Sequence, residues 1–318
     1  MNQKTVINPH FDLGLIAWKD EYSGRFQPPP TGYSEQFDLQ WHLSLKDSRY
    51  GVAPGASADD EYINDRIYEW TGNHPDGIDG FHDPSGGVRK LDHTLDPDLI
   101  RGKRCIDIGC GLGRWTRVMQ KLGAREVLSI DMSPSALKGT SEYNPNTMQA
   151  DIMRIPEEHP EWGNAFDFAN LWGVAMCTHD PLKAFISAAS TVRPGGVLYL
   201  MVYAPGGLHD QPLRILQRKR FYSLTTIDER LSYVEHVYHR RWDWNYPLLV
   251  NLLQVYANIR GFSKGNIVCI LDMLEPFYNW VIPVEVINGW KEKGGFKSIV
   301  WLNEHEHPKC AHHVLLRK

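Results

Sequence analysis

Arg104-Cys-Ile-Asp-Ile-Gly-Cys-Gly-Leu-Gly-Arg-Trp-Thr116 is the stretch that decides the fold. Cys105, Ile106 and Ile108 have the apolar, β-branched character of a buried strand. Gly109, Gly111 and Gly113 remove Cβ atoms where a backbone must turn sharply and approach a ligand closely. Trp115, Val118, Met119 and Leu122 then recur at helical spacing. Strand, glycine turn and helix N-terminus together predict a ligand cradle with backbone N–H groups aimed at the ligand.

The glycine spacing narrows the ligand. A dinucleotide site reads G-x-G-x-x-G, with the helix N-terminus facing a pyrophosphate. This chain reads G-x-G-x-G, with Asp107 two residues before the first glycine. A carboxylate at that position repels a diphosphate and suits a cationic or amine-bearing ligand. Glu126-Val-Leu-Ser-Ile-Asp131 is a second apolar strand ending in an acid, 24 residues after Asp107. A carboxylate there can accept both hydroxyl hydrogens of a ribose, in this reading or in a dinucleotide one. Thr147 to Ile152 is a third short strand, Phe166 to Leu171 a fourth and Gly196 to Ala204 a fifth, the last preceded by the turn Arg193-Pro-Gly-Gly196.

The glycine motif and the segments that follow it, across residues 104–204, resemble the class I S-adenosylmethionine-dependent methyltransferases. The resemblance implies an α/β fold, a Rossmann-like seven-stranded sheet in the order 3-2-1-4-5-7-6 with helices on both faces. It implies S-adenosylmethionine as cofactor, with Asp151 on the adenine amino group and Ile152 against the ring. The expected cofactor set is Asp107, Gly109, Gly111, Gly113, Asp131, Met132, Asp151, Ile152 and Leu171. Many relatives carry a His-His pair in the loop after strand four. Met176 and Cys177 stand at those positions, so no base carries over from them.

At 318 residues the chain exceeds one domain of about 150 residues, so a core fold with additions is expected. Residues 1–95 form an N-terminal extension, which the resemblance implies can fold over the cofactor as a lid. Residues 96–204 and 295–318 form the cofactor-binding core, and 205–294 a helical insertion that covers substrate. Helical spacing is read over Asp59 to Trp70, Ile227 to Trp242, Tyr246 to Ile259 and Pro283 to Gly294, and strands over Phe296 to Leu302 and Cys310 to Leu316. The proline-rich stretch Gln27 to Gly32 and the glycine-rich stretch Gly77 to Gly87 read as breakers. Net charge is −4 and no long basic run occurs, which argues against a nucleic-acid groove. Five scattered cysteines without a C-x-x-C pair suggest neither a disulfide framework nor a zinc knuckle. No signal peptide or apolar run of membrane-spanning length is read, so a cytoplasmic protein is expected.

Strand five delivers the chain to the ligand edge of the sheet at Tyr203, and strand six, if parallel, delivers the His305–His313 hairpin to the same edge. His179, beside Asp180, is the candidate catalytic base. Trp172, Tyr203, His209 and His305 are expected around the substrate. His305, His307, Cys310, His312 and His313 could ligate metal, but His312 and His313 point to opposite faces of a strand and no metal is expected. Arg214, Arg218, Lys219 and Arg220 read as a solvated helix face, or else as a site for an acidic substrate group. The expected activity is methylation of a small molecule at oxygen. An N-methyltransferase, a dinucleotide-binding dehydrogenase and a cofactor-binding protein acting through partners stay open as alternatives.

Overall fold

The computed structural model describes residues 17–28, 32–46, 60–73, 75, 92–207, 209–259, 267–306 and 309–318. The glycine-rich stretch 77–87 and His307 lie outside the described residues. Seven strands form one sheet: β1 (Arg104–Ile108), β2 (Glu126–Asp131), β3 (Thr147–Gln149), β4 (Phe166–Trp172), β5 (Val192–Tyr203), β6 (Ser298–Trp301) and β7 (Ala311–Arg317). Their order is β3-β2-β1-β4-β5-β7-β6. The first five strands pair in parallel, and β7 runs antiparallel between β5 and β6. Strand β6 is therefore parallel to β5, and the β6–β7 connection is a hairpin. This is the class I methyltransferase arrangement. Strand β5 starts at Val192 rather than Gly196, because the Arg193-Pro-Gly-Gly turn is absorbed into the strand through a register shift against β4.

Two helices precede the sheet, α1 (Gly32–Lys46) and α2 (Asp60–Thr71). The core helices are α3 (Arg114–Lys121), α4 (Pro134–Ser141), the short α5 (Ile155–Glu158) and α6 (Pro181–Thr191). Local chemistry starts them cleanly. Ser133 caps α4 by accepting from Ala136 N–H at 3.1 Å, and Asp180 caps α6 by accepting from Lys183 N–H at 2.9 Å. Each helix then has proline at its first position, where no N–H is needed.

The insertion holds α7 (Pro212–Ser223), α8 (Ile227–Tyr238), α9 (Leu248–Ile259) and α10 (Ile267–Leu274), and α11 (Val284–Lys293) leads to β6. Helix α8 stops at Tyr238 and α9 starts at Leu248 because Asp243 folds the chain between them. The Asp243 carboxylate accepts from Asn245 N–H at 2.9 Å, and its own N–H donates to Asn251 Oδ1 at 2.7 Å. The expected solvated face is overturned for two of its four members. The Arg218 side chain is fully buried on α7 and donates to the carbonyls of Pro276 at 2.5 Å and Phe277 at 3.2 Å. Arg214 is mostly buried beside it, its guanidinium pulled down to about 10 by burial, while Lys219 and Arg220 are exposed.

Three apolar clusters result. The largest lies on one face of the sheet and includes Trp18, Phe185, Trp280, Ile282 and Trp290. A second, on the opposite face, joins Trp70, Trp115, Phe168 and Tyr199, with Trp70 and Trp115 stacked at 4.3 Å. The third joins Leu112 of the glycine loop to Phe221, Val234, Leu271 and Leu274 of the insertion. The end of the insertion is also wired into the sheet. Trp280 N–H donates to Met176 O at 3.0 Å and Ile282 N–H to Tyr203 O at 2.8 Å.

Candidate active site

A cavity of about 340 Å3 opens at the carboxyl edge of the parallel strands. Its floor is made by the chain leaving each strand: Ile108 and Gly109 after β1, Asp131 and Met132 after β2, Asp151 and Ile152 after β3, Gly173 and Val174 after β4, and Tyr203 ending β5. Ligands bind at this edge of an open α/β sheet because strand order reverses there and the loops diverge. Two helices from outside the sheet roof it. Helix α1 supplies Tyr33, Phe37, Gln40 and Trp41, and α10 supplies Val268, Cys269 and Asp272. The Gln40 carboxamide donates to Asp272 Oδ1 at 3.2 Å, so the two roof helices are tied across the opening.

The glycine loop is more self-satisfied than its sequence implies. Gly109 and Cys110 N–H both donate to Ile130 O, Gly111 N–H to Asp131 Oδ2 at 2.8 Å, and Gly113 N–H to Cys110 O. The expectation that these N–H groups aim at a ligand is therefore not met at those four residues. What the loop offers is close approach. Gly111 has φ +53°, lines the cavity, and a Cβ there would sit 3.0 Å from the Trp41 ring. Gly113 also has positive φ, but its missing Cβ makes room for Tyr143, whose hydroxyl donates to Leu112 O. Gly113 does not line the cavity.

The three strand-end acids differ. Asp107 is fully buried, outside the cavity wall, with Thr116 Oγ1 donating to one oxygen at 2.7 Å and Asn170 Nδ2 to the other at 2.8 Å. It joins β1, β4 and α3, and burial pushes its carboxyl upward. Asp131 lines the cavity, and each of its oxygens holds one backbone N–H, from Gly111 and from Ser133. That leaves lone pairs on both oxygens for two hydroxyl donors. Burial raises its carboxyl to about 6. Asp151 lines the cavity and accepts from Met153 N–H at 2.8 Å, with Ile152 buried beside it. Leu171 is buried in the core rather than in the cavity wall. The acid at Asp131 and the Cβ-free approach at Gly111 fit a ribose-bearing cofactor.

The expected substrate residues separate. Trp172 and Tyr203 line the cavity. His209 does not, because its ring lies flat on the far side of Tyr203 at 3.4 Å and contacts Asn279. His305 is outside the cavity wall, with its N–H donating to Asp92 Oδ2 at 2.6 Å. His179 is also outside it. Tyr33 stands between, its ring stacked on the imidazole, its hydroxyl sharing a hydrogen bond with Nδ1 and accepting from the His179 N–H at 2.6 Å. Burial lowers the His179 imidazole and raises the Tyr33 phenol. Cys177 lines the cavity, while Met176 is in the core. Among the described residues no group of three metal-ligating side chains forms; His312 packs on Trp301 and His313 bonds Tyr199.

Several lining residues escape the sequence reading. Arg114 opens α3 and stacks over Trp115 and Trp172, with its guanidinium donating to Tyr62 at 3.2 Å. Asp272 is enclosed by protein, with burial pushing its carboxyl upward. Two signals were legible. Tyr33, Phe37, Gln40 and Trp41 fall at one-face helical spacing. An acid inside the apolar run Ile267–Leu274 is a buried charge that needs a reason.

A family model described as a methyltransferase domain matches residues 85–250, just over half of the chain. The chain belongs to the class I S-adenosylmethionine-dependent methyltransferase family. It is similar to a ribosomal protein L11 methyltransferase of Stenotrophomonas maltophilia, 27% identical over 203 residues, covering 63% of this chain and 60% of that one. It is also similar to a ubiquinone biosynthesis O-methyltransferase of Xanthomonas campestris pv. campestris, 29% identical over 114 residues, covering 35% and 47%. The chain thus spans about half to three fifths of the length of these relatives. A methyltransferase structure from Archaeoglobus fulgidus is similar at 13% identity and TM-score 0.42, covering 70% of this chain and 89% of that one. Among the described residues no helix is long and apolar enough to cross a membrane.

Proposed function

We propose that this chain transfers the methyl group of S-adenosylmethionine to an oxygen of a small molecule. The observation that carries the reading is the roof: α1 and α10 close over the strand-end cavity and tie to each other through Gln40 and Asp272. A cofactor of drug size takes up most of a cavity of about 340 Å3, so an acceptor that joins it under this cover is small rather than a folded macromolecule. Bound S-adenosylmethionine supplies an electrophilic methyl group. Asp131 holds the ribose hydroxyls, Asp151 and Ile152 take the adenine, and Gly109 and Gly111 allow close approach along the loop.

The remaining wall orients the acceptor. Trp172 and Tyr203 give it flat apolar surfaces, and the roof excludes water, which favours alignment of nucleophile and methyl group. A hydroxyl nucleophile must lose its proton as it is methylated. Asp272 is an enclosed carboxylate in the cavity wall whose upward shift suits it to accept that proton. His179 acts through Tyr33, holding the phenol in the roof.

The test is turnover of the purified chain on a panel of small hydroxylated and amine-bearing acceptors, read as S-adenosylhomocysteine formed and as product mass. O-methylated product is expected. Asp272→Asn should lower kcat by about 100-fold or more while S-adenosylhomocysteine affinity stays within a few-fold. N-methylated product would move the reading to amines. Turnover on a protein substrate with none on small molecules would overturn it.

A further inference from the structure

Helix α9 is inside out. Its sequence, Leu-Leu-Val-Asn-Leu-Leu-Gln-Val-Tyr-Ala-Asn-Ile, carries no charge. It buries Asn251 and Gln254 against the rest of the chain, while Leu248, Leu249, Leu252 and Leu253 are 63%, 67%, 50% and 56% exposed. With Val255 these leucines cover an outward arc of roughly 160° at helical spacing, wider than the apolar stripe a helix ordinarily turns to its own core. No described side chain of α9 belongs to any of the three apolar clusters. The rotation of the helix is fixed rather than accidental. Asn251 Nδ2 donates to Asp243 O at 2.8 Å and to Tyr246 O at 3.3 Å, and its Oδ1 accepts the Asp243 N–H. The same turn leaves Trp244 89% exposed.

We infer that this face is the dimer interface of the protein, with α9 packing against α9 of a second copy about a twofold axis. Size supports it. The four leucines, Val255 and Tyr256 expose on the order of 600 Å2 on one helix face, against about 800 Å2 per partner in a standard stable interface and at the top of the range of about 300–600 Å2 for the largest apolar patch of an ordinary monomer. Charge supports it too. A twofold contact sets each residue against the same patch of its copy, so a charged face would repel itself; α9 has no charge to repel. A lipid surface fits less well, because a helix lying in a membrane interface keeps a charged outer flank. The two amide residues among its described side chains, Asn251 and Gln254, are turned into its own protein.

Sedimentation velocity of the full chain at micromolar concentration tests the proposal, beside the double variant Leu249→Glu, Leu253→Glu. The wild type should sediment as a dimer and the double variant as a monomer with unchanged far-ultraviolet circular dichroism. A wild-type monomer overturns the proposal, and so does a double variant that folds and stays dimeric. A wild type that is monomeric alone and floats with phosphatidylglycerol vesicles assigns the face to lipid instead. Hydrogen exchange of the wild type needs no variant. Protection of amides 248–256 that rises with protein concentration supports the interface, and exchange independent of concentration overturns it.

Discussion

Asp131 shows how one side chain ties the glycine loop to the cavity wall. Its two oxygens each hold a backbone N–H, and burial still raises its carboxyl to about 6. Accepting ribose hydroxyls favours the ionised form, so the carboxylate must be charged to bind. Affinity for S-adenosylhomocysteine should be level above pH 7 and fall as pH drops through 6, by about tenfold per unit below it. Calorimetry from pH 5 to 8 measures this; a flat profile would remove Asp131 from the cofactor site. Asp131→Ala should weaken binding at least about tenfold, since charge-assisted hydrogen bonds contribute roughly 1.5–3 kcal/mol each. Gly111→Val is a sharper probe. Positive φ and the Trp41 ring at 3.0 Å leave no room for a branched side chain, so binding should be lost and some stability with it. Normal S-adenosylhomocysteine binding by the variant would make the loop a turn only.

At the scale of elements, the roof depends on where α1 is anchored. Asp38 on α1 accepts from Ser133 Oγ at 2.6 Å and from Ser135 N–H at 2.9 Å, so one helix helps to cap the start of another. Gln36 accepts the Phe277 N–H at 2.6 Å, and Gln40 reaches Asp272. Asp38→Ala should cost about 0.5–2 kcal/mol, the range for losing an N-cap acceptor. Urea unfolding followed by circular dichroism measures it, and an unchanged midpoint would show that α1 is held by its apolar face alone. The strands β1, β2 and β4 were legible to within a residue at their ends, because buried parallel strands are short, mostly apolar stretches bounded by turn residues. The roof helices were not. Gln40 and Asp272 are 232 positions apart, and nothing local at either says that they meet.

For the whole molecule, the insertion shares its apolar clusters with the sheet and the glycine loop. Phe277, Tyr278, Trp280 and Ile282 belong to the largest apolar cluster, and Leu112 of the glycine loop packs into the cluster that α8 and α10 build. Replacing residues 205–294 with a short linker should therefore leave no cooperatively folded protein, since each buried large apolar side chain contributes about 1.5–3 kcal/mol and the net stability of a domain is about 5–15 kcal/mol. A truncated chain that melts cooperatively and binds S-adenosylhomocysteine within a few-fold of the intact one would overturn this and make the insertion a separate cover.

The strand-end wall of the cavity was determined by the sequence itself, because its chemistry is local: Gly109, Gly111, Asp131 and Asp151 sit at or just beyond strand ends whose order follows from apolar runs and turn residues. The opposite wall was decided only by tertiary structure. His179, His209 and His305 carry the right chemistry in the sequence, but Tyr33 comes between His179 and the cavity, Tyr203 stands in front of His209, and the hairpin holds His305 elsewhere. Arg218 reads as a surface cation until the carbonyls of Pro276 and Phe277 are folded around it. The physical reason is common to all of these. Exposure is a property of what packs on a residue from distant parts of the chain, and a short motif contains no record of that packing.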